Sequence, residues 1–256
     1  MVVFGLRELL PQFATLEEYV SSILTFAEEC GFVDFGLSSS TLSRLLRGTT
    51  SLNSNKLAVL KAYLHSRVDA STYIGDFIER TEQPNLDSPL ELLYNFLHTP
   101  SAVSFFVFLV EPLLPSSLDY IFTLQETLPI AFELSKWTGA PYLELNPRLP
   151  TFDDQQKGMT KKKFHELPYR ISGERVGSYW VYKAELGRVT THSPHSLFLV
   201  DYVRQGYILD VLANLLQEVG GKGTFFVLTS VGEGRENMEE GRLAGEDYQI
   251  FHEFKK

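Results

Sequence analysis

The chain holds one cysteine, Cys30, among 256 residues. That excludes an intramolecular disulfide and a four-thiolate zinc site. No cation adjoins Cys30 in sequence, so it reads as a buried core thiol rather than a reactive one. No nucleophile elbow, P-loop or His-Glu-x-x-His helix is present, and no internal repeat. Gly232-Glu233-Gly234-Arg235 begins like a dinucleotide fingerprint, but Asn237 stands where the third glycine is needed. Long hydrophobic runs are also missing. The most apolar stretch, residues 102–110, is interrupted by Ser104 and closed by Glu111-Pro112, about half the length that spans a bilayer. The first residues carry no basic leader and no small-residue cleavage site, so the expectation is a cytoplasmic chain with no membrane partner. Positive charge is scarce: 23 Lys and Arg face 32 Asp and Glu, a net charge of −9. Such a balance excludes a protein that coats nucleic acid or anionic lipid with its whole surface, and leaves room only for a local basic patch.

What is present is ordinary globular material, 44% hydrophobic and 21% charged. Polar residues and two prolines at 81–89 mark a boundary, giving two expected parts, 1–82 and 83–256. Before it the pattern is helical. Thr15 and Glu18 form a capping box, Leu16, Val20, Ile23, Leu24 and Ala27 come next at helical spacing, and Gly31 closes the run. Further helical runs are expected over 38–47, 54–65 and 72–81. After the boundary, 90–97 reads as helix, and 102–110 fits helix or strand equally by periodicity. Then strands are expected at 119–124, 141–145, 178–186, 197–203 and 224–231, with helices at 128–137 and 208–219. A long polar excursion fills 146–177. The alternation calls for a parallel sheet covered by helices.

Charge is segregated in the first part. Between Phe35 and Val68 lie Arg44, Arg47, Lys56, Lys61 and Arg67, with no acid among them. Ser40 and Thr41 open the helix that carries Arg44 and Arg47 at intervals of three, with Leu42, Leu45 and Leu46 on its other face. Phosphate contact needs cations gathered in this way and free N–H groups at a helix start. A bundle helix with a solvated cationic face has the same pattern, so both readings stand. The stretch Ser40-Thr41-Leu42-Ser43-Arg44-Leu45-Leu46-Arg47-Gly48, with Leu57, Leu60 and Leu64 after it, resembles phage-repressor-like helix-turn-helix domains. The short helix that such domains place before the recognition helix has no good counterpart here. The resemblance implies DNA as partner, with Ser40, Thr41, Arg44, Arg47, Lys56 and Lys61 at bases and phosphates.

The second part resembles type I phosphoribosyltransferases. Leu128-Pro129-Ile130-Ala131 and Gly139-Ala140-Pro141 look like the family's helix and return strand. Leu197 to Val203 sits where the family carries its diphosphoribose-binding motif. The resemblance implies that fold, with the long excursion where the family has its mobile loop and hood. It also points to Asp201, Tyr202, Arg204, Gln205, Gly206 and Tyr207 as the ligand-binding positions. The departures are chemical. Only the first of the family's two acids is kept, as Asp201, and Tyr202 replaces the second. The phosphate loop reads Arg204-Gln205-Gly206-Tyr207-Ile208, with bulky residues where backbone must approach an anion closely. Glu126, in the loop before the first helix, would repel a diphosphate. Losing these contacts, each worth on the order of 1.5–3 kcal/mol, should remove most diphosphoribose affinity.

Other signals are weaker. Lys157, Lys161, Lys162 and Lys163 form a cationic run, either a solvated loop or a phosphate contact. His192 and His195 flank Ser193-Pro194, a turn rather than a metal pair. The segment from Gly232 to Lys256 carries seven acids and four bases and reads as exposed. The expected chain is therefore α/β overall, an all-α helix-turn-helix-like module before a phosphoribosyltransferase-like parallel-sheet domain. It has no catalytic residue, metal or cofactor assigned. Its expected partners are DNA, a nucleotide-like small molecule and a second copy in a homodimer, an arrangement resembling bacterial purine repressors. The apolar segments of 90–114 offer an interface for that homodimer. Two alternatives are a divergent phosphoribosyltransferase acting on a nucleobase and a non-catalytic interaction scaffold.

Overall fold

The computed structural model describes Ser40, Arg44, Ala62, His65, Ser66 and residues 69–81, 89–148, 163–171, 174–189, 194–203, 207–231 and 247–254. The chain divides into two compact units. One is Met1–Leu114 with Glu133–Gly139, the other Pro115–Phe132 with Ala140–Lys256.

In the first unit, helices α1 (Ala70–Thr81), α2 (Pro89–Leu97) and α3 (Pro100–Val110) pack through aromatic side chains. Asp69 starts α1 by accepting the Thr72 amide at 2.9 Å and the Thr72 hydroxyl at 2.8 Å. Residues 102–110 are helical, and Ala102 to Val110 are buried without exception. The Ser104 hydroxyl is the one polar side chain in this run, and a helix satisfies its backbone groups internally. Tyr73 meets Phe105 edge-on at 4.9 Å, and Phe96 meets Phe77 at 5.4 Å and Phe106 at 5.7 Å. Among the described side chains of 90–114 the apolar ones are thus mostly interior, with Tyr94 and Leu113 the large ones left exposed.

The second unit is a mixed α/β structure around a five-stranded sheet of order β2-β1-β5-β6-β7, every pair parallel. Its strands are β1 (Tyr120–Leu124), β2 (Tyr142–Leu145), β5 (His195–Val203), β6 (Lys222–Val231) and β7 (Asp247–Phe254). Helix α4 (Leu128–Thr138) joins β1 to β2, and α6 (Tyr207–Val219) joins β5 to β6. Two glycines stop these helices with left-handed backbone: Gly139 at φ 79° donates to the Ser135 carbonyl, and Gly220 at φ 69° to that of Leu216. On one sheet face Phe122, Phe198 and Phe225 stand in register and stack, with centroids 5.0 and 4.7 Å apart. They anchor the apolar core formed with α6.

Residues 164–189 differ from expectation. Within the polar excursion and just beyond it, residues 164–182 form a hairpin of β3 (Phe164–Ile171) and β4 (Glu174–Tyr182). The expected strand at 178–186 ends at Tyr182, and α5 (Lys183–Val189) takes over. Leu167, Val181, Tyr169 and Tyr179 turn one hairpin face into the core beside α6. Pro168 is tolerated because Trp180 turns its backbone groups away from β3 to Asn146; two residues on, the pair Pro168–Ser178 therefore also faces outward, where a missing N–H breaks no ladder bond. Asn146, just after β2, exchanges two backbone hydrogen bonds with Trp180, tying the hairpin to the main sheet. The acidic C-terminal segment also holds β7, whose Phe251 is buried edge-on against Phe226 at 5.3 Å.

Candidate functional site

In a sheet ordered this way the chain leaves β1 toward β2 on one side and continues through β5 and β6 on the other. Connections diverge there, and the carboxyl ends of β1 and β5 border the crevice where open α/β sheets take their ligands. Three acids belong to this end: Glu126 in the turn after β1, Glu144 on β2 and Asp201 on β5. Side chains alternate along a strand. Leu143 and Leu145 enter the core cluster, so Glu144 between them points to the opposite face; Asp201 directly follows Val200 of the same cluster.

Thr127 shapes the crevice. Its side chain is fully buried, and its hydroxyl lies 2.8 Å from that of Thr123 and 3.3 Å from the carbonyls of Leu124 and Leu199. A hydroxyl at this position commonly caps a helix by accepting a first-turn N–H. Here it is turned down to join the ends of β1 and β5. Pro129 removes another first-turn donor from α4. Glu126 stands just before this helix start, and its charge opposes an anion there.

The electrostatics agree. Burial pushes the Asp201 carboxyl up to about 6, the Glu126 charge adds to the rise, and the amides of Tyr202 and Asp201 only partly oppose it. Glu144 is raised as well, first by burial and then by Glu126. A strongly cationic lining would have pushed both the other way. Among the described residues, no group of three or more His, Cys, Asp or Glu side chains is arranged to hold a metal ion. Thr229 donates to the Asp201 carbonyl at 3.0 Å, which fixes the backbone beneath the acid.

Of the residues singled out in the sequence, Asp201 and Tyr202 are half-buried at the end of β5. Tyr207 begins α6, and its side chain lies outside the described residues, as do Arg204, Gln205 and Gly206. Ser40 and Arg44 are helical and exposed, and Arg44 Nε donates to the Ser40 carbonyl at 3.1 Å. Thr41, Arg47, Lys56 and Lys61 lie outside the described residues, together with Cys30, His192 and most of the lysine run. His195 is engaged at the other end of the sheet. Its ring is 3.1 Å from the Thr224 hydroxyl, and its amide donates to Asp119 at 2.8 Å. Glu144 is the site residue that sequence reasoning missed. The available signal was one polar side chain inside an otherwise apolar strand pattern.

No family model matches the chain, and no curated protein does. Among solved structures it is similar to the adenine phosphoribosyltransferase of Thermoanaerobacter pseudethanolicus, at 14% identity over 64% of this chain and 86% of that one, with a TM-score of 0.46. The Giardia lamblia enzyme, solved with 9-deazaadenine, gives 12% identity, 63% and 84% coverage and a TM-score of 0.47. The Saccharomyces cerevisiae enzyme gives 11%, 71% and 99%, and 0.46. Among the described residues, no helix is long and apolar enough to cross a membrane.

Proposed function

We propose that this chain is a DNA-binding transcription regulator whose parallel-sheet part is a phosphoribosyltransferase-like body without transferase activity, kept to sense an effector or to pair two copies. The observation that carries the reading is the set of carboxylates at the switch of the sheet. Glu126 faces the crevice and raises both Asp201 and Glu144. A diphosphate carries several negative charges and requires N–H donors and cations. A crevice lined by mutually repelling acids, with Pro129 taking one donor out of the first helical turn, disfavours it. The DNA-binding half rests on the segregated cations of 35–68 and on Arg44, an exposed cation one helical turn after Ser40.

Two measurements test the two halves separately. Calorimetric titration with magnesium and phosphoribosyl diphosphate should give no binding heat at millimolar ligand; saturable heat that Asp201→Asn removes would restore the transferase reading. In gel-shift titrations against genomic fragments, the full chain should prefer some fragments to random duplex. Arg44→Ala with Arg47→Ala should weaken binding, and should flatten the salt dependence of log K by about 2, one phosphate contact per arginine. Equal affinity for random duplex, unmoved by the double substitution, would end the DNA reading.

A further inference from the structure

We draw no further inference here: the strongest candidate, the exposed Phe132–Tyr142 aromatic pair beside the outer edge strand of the parallel sheet, is an apolar surface patch and nothing in the structure shows what covers it.

Discussion

Asp201 ties the stability of the α/β unit to pH in a direction opposite to that of most surface carboxylates. In the folded chain its carboxyl holds a proton up to about pH 6, because burial penalises the charge and Glu126 repels it; the ordinary value is 3.8. Between these two values the folded state binds more protons than the unfolded state, so stability must fall as pH rises. The contribution is fully present below pH 4 and gone above about pH 7. A gap of roughly two pH units corresponds to about 3 kcal/mol. Glu144 is shifted in the same direction and adds to the slope. Asp201→Asn keeps the shape and an acceptor for the two amides, yet cannot ionise. At pH 7.5 it should be the more stable protein by up to that amount, about 6–12 °C in Tm for a chain of this size. Its stability should also vary far less between pH 4 and 7. Glu126→Gln should produce a smaller gain and move the Asp201 midpoint downward. Trp180 sits in the hairpin of this unit and Trp137 in the other unit, so urea unfolding monitored by fluorescence in a Trp137→Phe background isolates the relevant transition. A carbon-detected NMR titration of the Asp201 carboxyl reads the midpoint directly. Parallel pH profiles for Asp201→Asn and the parent, or an Asp201 midpoint near 4, would refute the reasoning.

Two further substitutions probe packing around the site. A Cβ on Gly177 would stand 2.5 Å from the Tyr169 hydroxyl and 2.6 Å from its ring, so Gly177→Ala must displace the ring and should cost about 1–3 kcal/mol in chemical unfolding. In a double-mutant cycle with Tyr169→Ala most of that cost should vanish, and strict additivity would show that the ring is not the obstacle. The Ser196 hydroxyl is completely buried and has no hydrogen-bond partner among the described residues. Ser196→Ala removes an uncompensated polar group and should raise stability by about 1 kcal/mol by scanning calorimetry; a loss of similar size would mean that the hydroxyl is satisfied in solution.

Strands β1, β2, β5 and β6 and helices α4 and α6 were legible because each announces itself within its own few residues. The short apolar run Leu197 to Val200 has the length of a buried strand, and Gly139 and Gly220 stand where helices must stop. The hairpin was only half legible: a strand was expected from Ser178, overlapping β4, whereas β3 was not expected. Its core face is spread over Leu167, Tyr169, Tyr179 and Val181 on two strands, and in β3 charged and proline residues stand between the apolar ones. Strand β7 was masked by the acids around it, since only one of its side chains, Phe251, is fully withdrawn from solvent.

The same division holds for the site. Residue identities alone were enough to locate Asp201 at the end of a buried strand, to flag Glu126 as hostile to a diphosphate and to count the cations between Phe35 and Val68. The alternation of apolar strands with helices also called for a parallel sheet. Only the tertiary structure could decide that β1 lies between β2 and β5, and so bring Glu126, Glu144 and Asp201 to one crevice and turn Thr127 downward to bridge its two strands. The reason is physical. Strand and helix formation are governed by neighbours along the chain, whereas the charge felt by a carboxylate depends on desolvation and on groups brought close by strand order, to which sequence distance is no guide.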